Sequence, residues 1–251
     1  MGEIPDSHPR RDSLRRREKL VAGYRRGLVV PEGLIAQGRG EALDYLLGER
    51  THDFAVAAIE ATSAHICVSK HPYVSVNGNV AALAPEQLAR LQRTNPRIGL
   101  EVNLFHQSDE RLRLIEEQLD RFGLRFTKAP RVSDPCVDLD LGHARGRMNP
   151  EGLGSADLVL IALEDGDRCE ALVRKGCFVV AVDLNPLSRT AQKAHVSIVD
   201  EVTRALDCLS ARQELDLLLS PRELKLRIEQ YDNRRILAAA ESGIRSGSEQ
   251  L

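Results

Sequence analysis

The sequence lacks several features that mark large classes of protein. Tryptophan is absent and aromatic residues make up only 4% of the chain, so the stacking platforms that bind single-stranded nucleic acid are not expected. The formal net charge of −2 draws the protein neither to nucleic acid nor to a membrane surface. No apolar run approaches membrane-spanning length, and the first residues lack the apolar core of a signal peptide. We therefore expect a soluble, enzyme-like protein with no nucleic-acid or membrane partner.

The five cysteines do not form a disulfide or zinc framework. Their number is odd, no CxxC pair occurs, and the clustering that such frameworks need is missing. We interpret them as reduced thiols and expect a cytoplasmic location.

Familiar nucleotide and hydrolase motifs are also missing. The segment GLIAQGRGEA places Gly33 and Gly38 at P-loop spacing, but Arg39 and Gly40 stand where Lys and Ser or Thr belong. The third glycine of a dinucleotide fingerprint is absent, which argues against a nicotinamide-dependent enzyme, and HExxH and GxSxG do not occur. We expect a helix to open on Gly38-Arg39-Gly40, where exposed N–H groups and a guanidinium would cradle a phosphate.

Hydrophobic patterning predicts an α/β fold. Helical spacing covers residues 10–26 and 53–69, and from residue 73 short apolar strands alternate with helices. Strands joined by helices imply a three-layer, Rossmann-like, mostly parallel sheet with an N-terminal helical extension. We expect residues 1–70 to be a helical segment packed on the core, and residues 71–251 to form that core with C-terminal helices, together as one compact unit. The role of the long irregular stretch 128–152 stays open.

Polar residues gather where four of the predicted strands end. Because the carboxyl ends of parallel strands share one edge of a sheet, these side chains should line one crevice. A turn or a helix cap explains any one of them, but not all four clusters. The residues are Asn77, Asn79, Asn103, His106, Asp165, Asp167, Arg168, Asp183, Asn185 and Arg189.

The stretch FVVAVDLNPLSRT carries the most specific of these clusters. An acid at a strand end before a helix, here Asp183, is how nucleotide-binding folds hold a ribose, and Arg189 would meet phosphate. The alternative is a local turn with Arg189 in solvent. The basic segment 10–26 is similarly open to two interpretations, a solvated helical face or a helix that faces an anion.

Several long segments together resemble the archaeal phosphopantothenate synthetase family, also called 4-phosphopantoate–β-alanine ligase. They are SLRRREKLVAGYRRGLVVPEGLIAQGRGEALDYLLGERT, SVNGNVAAL, EVNLF, SADLVLIALEDGDRCEALV and VDLNPLSRTA with VSIVDEVTRA. The similarity covers residues 4–206 and is looser in 128–148 and in the C-terminal helices. It implies ATP-dependent condensation of 4-phosphopantoate with β-alanine on the route to coenzyme A, releasing AMP and diphosphate. It also implies an archaeal cytoplasmic origin and a homodimer.

The resemblance further implies a set of ATP-binding residues. By motif match these are Arg17, Arg39, Asp183, Leu184, Asn185, Arg189, Thr190, Glu201 and Val202. Two positions depart from the family, which tends to have Asn at Glu201 and commonly His at Gln37.

The remaining roles are expectations from chemistry. Arg17 and Arg39 would bind the ATP phosphates with a bridging Mg²⁺, for which we assign no protein ligands. Candidate acceptors of the β-alanine proton are His106, Asp165 and Asp167, which are not ranked. Candidate substrate contacts are Asn77, Asn79, Asn103 and Arg168. The alternatives are a nucleotide-binding oxidoreductase and a nucleotide-sensing module without chemistry, and whether the site spans a dimer interface stays open.

Overall fold

The computed structural model describes residues 4–247, which form seven β-strands and eleven α-helices. The strands are β1 (Pro72–Val76), β2 (Gly99–Val102), β3 (Val137–Asp138), β4 (Arg147–Met148), β5 (Leu158–Ala162), β6 (Phe178–Asp183) and β7 (Val196–Val199). The helices are α1 (Arg11–Arg25), α2 (Pro31–Leu47), α3 (Asp53–Val68), α4 (Gly78–Leu83), α5 (Pro85–Thr94), α6 (Asp109–Arg121), α7 (Gly166–Arg174), α8 (Arg189–Lys193), α9 (Val202–Asp216), α10 (Pro221–Gln230) and α11 (Asn233–Gly247). Within this described part of the chain, no helix is both long and apolar enough to span a lipid bilayer.

Five strands form a single parallel sheet in the order β2-β1-β5-β6-β7. β1 lies between β2 and β5, with Val74 opposite Leu100 on one side and Leu160 on the other. The chain therefore starts inside the sheet, builds one edge with β2, and then crosses over to build the other half from β5 to β7. The winding direction reverses between β1 and β5, and ligands of open parallel sheets bind at such a switch point. The predicted three-layer α/β architecture is confirmed.

The central strands are buried on both faces because helices cover both. All five residues of β5 are buried, and they alternate between two hydrophobic clusters, as the two-residue period of a strand requires. Leu160 belongs to the larger cluster with α1, α3, α5, α6 and α9. Ile161 belongs to the smaller cluster with α7 and with Met148 and Leu153.

The N-terminal helices share the core of the sheet. Leu20 of α1 and Ala58 of α3 lie in the same buried cluster as Val74 of β1. Helices α1 and α3 match the predicted segments 10–26 and 53–69, and Gly27, just beyond α1, has a φ of +78°. The boundary that we place at residue 70 stays a prediction. All five cysteines are free thiols.

The second helix begins seven residues before the position that we predicted, so that prediction is wrong. α2 starts at Pro31, whose fixed φ suits a first helical position, and it runs through Gly38-Arg39-Gly40 without a break. The N–H groups of this tripeptide therefore belong to the helix interior and cannot cradle a phosphate. A glycine suits position 40 because a Cβ there would approach Leu184 Cδ1 to 3.3 Å.

The irregular stretch 128–152 contains a small antiparallel sheet of β3 and β4 and a 3₁₀ turn at Ala144–Gly146. Two side chains of the β2 region hold it. Asn103 Nδ2 donates to the carbonyl of Arg147 at 3.2 Å, and the Glu101 carboxylate accepts the N–H groups of Asn149 at 3.0 Å and Leu153 at 2.7 Å. The stretch is thereby fixed beside the carboxyl end of β2.

Candidate active site

A cavity of about 350 Å³ opens at the switch point of the sheet. Its wall is built from the first turns of α2, the carboxyl ends of β1, β2, β5 and β6, and the 3₁₀ turn of the 128–152 stretch. Its polar lining residues are Glu32, Arg39, Asn77, Asn79, His106, Arg111, Arg145, Glu164, Asp165 and Asp183. Five of these ten residues were predicted from the polar strand ends, and Arg39 was predicted from the Gly38-Arg39-Gly40 segment and the family resemblance.

Asn77 joins the two strands that flank the switch point. Its Oδ1 accepts the N–H groups of Asn79 and Val80, both at 3.1 Å, and so caps α4. Its Nδ2 donates to the carbonyl of Ala162 at the end of β5, at 2.7 Å. Asn77 therefore shapes the cavity wall, and its role as a substrate contact stays a prediction.

Asn79 holds the start of α2 against the sheet. Its Nδ2 donates to the carbonyl of Gly33 at 2.8 Å. A Cβ at Gly33 would lie 3.0 Å from Val29 Cγ1 and would overlap with Asn79 Oδ1, so a glycine is required for this approach. The first turn of α2 consequently forms one side of the cavity.

β5 ends in a backbone conformation that is unusual for its residue type. Leu163 has a φ of +51°, which costs a residue other than glycine about 1–3 kcal/mol. Its N–H still donates to the carbonyl of Val182 at 3.1 Å, so the sheet holds the turn in place. Glu164 and Asp165 follow directly and line the cavity.

A charged network supports this wall from behind. Arg168 is fully buried, and its Nη1 donates to Glu164 Oε2 at 2.7 Å and to Ser75 Oγ at 2.9 Å. Its Nε donates to the carbonyl of Arg145 at 3.1 Å. Arg168, which we predicted to contact substrate, thus lies behind the cavity wall rather than among its lining residues.

The three candidate proton acceptors have different surroundings. Burial raises the pKa of Asp165, but the N–H of Arg168 and the guanidinium of Arg145 outweigh it and place this pKa below its usual value. Asp167 is exposed and pairs with Arg189, away from the lining residues. His106 lines the cavity, with its ring edge-on to Phe105 at a centroid distance of 4.8 Å.

Asp183 closes the opposite end of the cavity from His106. The residue is 4% exposed, and its carboxylate accepts the hydroxyl of Ser188 at 2.5 Å and the N–H of Asn185 at 3.1 Å. Burial raises the pKa of Asp183, although these hydrogen bonds and the charge of Arg39 oppose the rise. Arg39 and Asp183 thus meet in one cavity.

The other residues after β6 pack around this end of the site. Leu184 lies against Gly40 of α2, and Thr190 Oγ1 donates to the carbonyl of Glu164 at 2.8 Å. Asn185 is exposed, and its Oδ1 accepts the N–H of Leu187 at 3.0 Å. Their roles in nucleotide binding stay predictions.

A second cleft of about 250 Å³ lies between α1 and α2 and is lined by Arg16, Arg17 and Gln37. The Arg17 guanidinium lies 3.6 Å from Glu41 Oε1. Glu201, beside Val202 at the start of α9, lies 3.8 Å from Arg16 Nε. Arg17 of α1 therefore lines this second cleft, whereas Arg39 of α2 lines the cavity at the switch point.

Glu201 is the N-cap of α9. Its Oε2 accepts the N–H groups of Thr203 at 2.9 Å and Arg204 at 3.3 Å. Asn, which is common at this position in the family that the sequence resembles, is also a strong N-cap residue. Capping is a role that both residue types perform.

Four charged lining residues were missed by the sequence analysis, namely Glu32, Arg111, Arg145 and Glu164. Arg145 lies in the 128–152 stretch, whose role the sequence analysis left open. Burial, and then the charge of Arg145, lower the pKa of Arg111. In the sequence Arg111 looked like one more charge on the exposed face of a helix.

An open parallel sheet with a cavity at its switch point, lined by three arginines and four carboxylates, defines a Rossmann-like protein with a candidate ligand site. A family model described as phosphopantothenate/pantothenate synthetase matches residues 54–247. The curated 4-phosphopantoate–beta-alanine ligase of Methanosarcina mazei is 47% identical over 246 residues, covering 97% of this chain and 95% of the relative. The enzyme of the same name from Thermococcus kodakarensis is 45% identical over 250 residues, covering 95% of this chain and 90% of the relative. The chain belongs to the phosphopantothenate/pantothenate synthetase family.

Proposed function

We propose that this chain is an ATP-dependent ligase that joins 4-phosphopantoate to β-alanine in coenzyme A biosynthesis. The products would be 4′-phosphopantothenate, AMP and diphosphate. The names of its relatives support the reaction. The observation that carries the proposal is the cavity at the switch point, which is lined by Arg39, Arg111, Arg145 and Asp183. Two anionic substrates can meet only where the protein supplies cations, and these three arginines would supply them.

The chemistry proceeds in two steps. A carboxylate is a poor electrophile, so a carboxylate oxygen of 4-phosphopantoate attacks the α-phosphorus of ATP and the bond to the β-phosphate breaks, releasing diphosphate. The amine of β-alanine then attacks the acyl carbon of the adenylate. The bond between that carbon and the AMP oxygen breaks, and the amine loses its proton.

Nucleotide binding is assigned to the residues around the middle of α2. Arg39 would bind phosphate from the cavity side, and Asp183 would accept the ribose hydroxyls. Arg17 of α1, in the cleft between α1 and α2, would reach the same nucleotide past Gly38, whose missing side chain leaves this side of α2 open. Leu184 and Asn185 extend the surface beyond Asp183.

His106 is the proton acceptor that the geometry favours. The amine of β-alanine, by analogy with lysine, has a free pKa of about 10 and must be deprotonated before it attacks. Asp165 already accepts two hydrogen bonds from cationic or N–H donors, and Asp167 is outside the cavity lining. His106 offers an imidazole in the cavity.

A magnesium ion would supply charge neutralisation at the ATP phosphates. Within residues 4–247 there is no cluster of three His, Cys, Asp or Glu side chains arranged to hold a metal. Mg²⁺ is usually held by phosphate oxygens and water together with one or two carboxylates, so the ATP phosphates would be its main ligands here. We also propose, from the family resemblance, a cytoplasmic homodimer.

The test is an assay with ATP, 4-phosphopantoate and β-alanine that measures AMP and 4′-phosphopantothenate. Arg39→Ala and Asp183→Ala should each lower kcat/KM by about 100-fold or more, since each removes a charged partner of the nucleotide. Arg113→Gln is the control because that side chain pairs with Glu117 on the exposed face of α6. Near-normal turnover in both cavity variants would disprove the assignment.

Two other functions predict different results in the same experiment. A nucleotide-sensing module would bind ATP but release no AMP when given both other substrates. A nucleotide-binding oxidoreductase would be stabilised by NAD(H) or NADP(H) in a thermal-shift measurement. We expect AMP release and no such shift.

A further inference from the structure

Arg111 is a guanidinium that lines the cavity and forms no ion pair with any described residue between 4 and 247. Its Nε and Nη2 donate to the carbonyl of Leu28 at 3.3 and 3.0 Å, and its Nη1 donates to the carbonyl of His106 at 2.8 Å. These neutral acceptors fix the orientation of the group without neutralising it. The positive charge therefore remains available to a ligand in the cavity.

The surroundings of Arg111 make this arrangement costly without an anion. The side chain is substantially buried, and burial together with the nearby charge of Arg145 lowers its pKa. A Cβ at Gly78 would lie 2.6 Å from Arg111 Nη2, so the glycine leaves room for the guanidinium at the cavity wall. An anion bound here would offset both the desolvation and the repulsion between the two arginines.

Arg145 contributes a second guanidinium, and only some of its N–H donors have acceptors in the protein. Its Nη1 is shared between Glu164 and Asp165, the latter at 2.7 Å. Its Nε is buried and has no hydrogen-bond partner among the described residues. A buried N–H donor without an acceptor is expensive, and an oxygen of a ligand in the cavity would satisfy it.

Arg111 lies at the β2 end of the cavity, and Arg145, close to it, reaches Glu164 and Asp165 after β5. Arg39 and Asp183 lie at the β6 end. Arg111 touches His106, which follows β2, and the Arg145 guanidinium lies 5.7 Å from the ring centre of Phe105. Three strand spacings separate β2 from β6 in the sheet, or about 14 Å at roughly 4.8 Å each. One end can thus hold a nucleotide while the other holds a second anion.

We propose that Arg111 and Arg145 form the subsite for the phosphate group of the acid substrate. This inference rests on the proposed ligase function and extends it to residues that no comparison or motif assigns. A phosphate monoester carries up to two negative charges and three acceptor oxygens, which match the free donors of two guanidinium groups. The carboxylate of the same substrate would then extend towards the triphosphate held from the Arg39 end.

Steady-state kinetics of Arg111→Gln and Arg145→Gln test the subsite. Losing one charge-assisted contact should raise the KM for 4-phosphopantoate by about 10- to 100-fold. The KM values for ATP and β-alanine should stay within about threefold of those of the parent. Arg113→Gln, two residues from Arg111 on the same helix and paired with Glu117, is the matched control and should leave all three KM values unchanged.

Other outcomes would overturn the subsite. A rise in the KM for ATP instead would assign these arginines to the triphosphate, and an equal loss for all substrates would indicate a purely structural role. If Arg111→Gln is poorly folded, Arg111→Lys, which keeps the charge but loses the fork of donors, should still weaken 4-phosphopantoate selectively.

Calorimetric titration separates failure of the subsite from failure of the proposed function. Without nucleotide, 4-phosphopantoate should bind the parent protein about 10- to 100-fold more tightly than the Arg145→Gln variant. If the parent binds it but forms no AMP with all substrates present, the ligase function fails and the subsite stands. If the parent and the variant bind it equally, the subsite fails whatever the reaction.

Discussion

Replacement of Gly33 by alanine tests how closely α2 must approach the sheet. A Cβ at this position would overlap with Asn79 Oδ1 and lie 3.0 Å from Val29 Cγ1. Overpacking of this kind costs about 1–3 kcal/mol, and the better helix propensity of alanine returns about 0.5–1 kcal/mol. We expect a net loss of about 1–2 kcal/mol in the free energy of unfolding, which lowers Tm by roughly 2–8 °C for a chain of this size.

Gly38→Ala is the matched control on the same helix. A Cβ at Gly38 meets no atom within 4 Å, so this variant should be about 0.5–1 kcal/mol more stable than the parent. Denaturant unfolding and thermal melting measure both variants, and 4-phosphopantoate titration reports the cavity. Because Gly33→Ala must displace Asn79 from its 2.8 Å bond to the Gly33 carbonyl, binding should weaken as well. Equal stability of the two variants would refute the close approach.

Two further variants test opposing pH effects on stability. Burial raises the pKa of Glu101 to about 7, so the folded protein keeps a proton there that the unfolded chain releases above pH 4.5. The free energy of unfolding should therefore fall by about 3 kcal/mol as the pH rises from 4.5 to 7. Glu101→Gln should lack this fall, and an unchanged fall in the variant would contradict the reasoning. Burial, and then His195, lower the pKa of His65 to about 4, so stability should fall as the pH drops from 6.5 to 4, by about 1–2 kcal/mol after allowance for partial exposure. His65→Phe, which keeps the stack on Phe178, should remove this acid sensitivity in urea unfolding curves, and a variant as acid-sensitive as the parent would count against it.

The part of the site that the sequence predicted depends on local pattern and on one rule of topology. Short apolar runs followed by polar residues located β1, β5 and β6, and the shared edge of a parallel sheet then brought Asn77, Asp165 and Asp183 together. Neither step needs knowledge of strand order. The switch point itself became visible only in the structure, because it depends on β5 pairing with β1 rather than with β2.

The start of α2 could not be predicted because a tertiary contact decided it. Gly38 and Gly40 read as the boundary of a helix, since glycine disfavours helix interiors. Gly40 instead provides the surface on which Leu184 packs, a contact between segments far apart in the sequence. The packing outweighs the local preference.

The arginines of the cavity were hidden for a different reason. Arg111 lies between other charged residues in α6, and local sequence cannot distinguish a guanidinium that faces solvent from one that faces a cavity. Arg145 lies in a stretch whose path depends on Asn103 and Arg168. Asn103 Nδ2 donates to the carbonyl groups of residues 145 and 147, and Arg168 Nε donates to that of residue 145. Only the assembled fold relates these side chains.

Transfer of oxygen-18 from the labelled carboxylate of 4-phosphopantoate tests most directly whether this cavity activates an acid with ATP. If the acyl-adenylate forms, one labelled oxygen should appear in the phosphate of AMP for each amide bond made, when mass spectrometry follows the complete reaction. Unlabelled AMP, or ADP with labelled inorganic phosphate, would contradict the account.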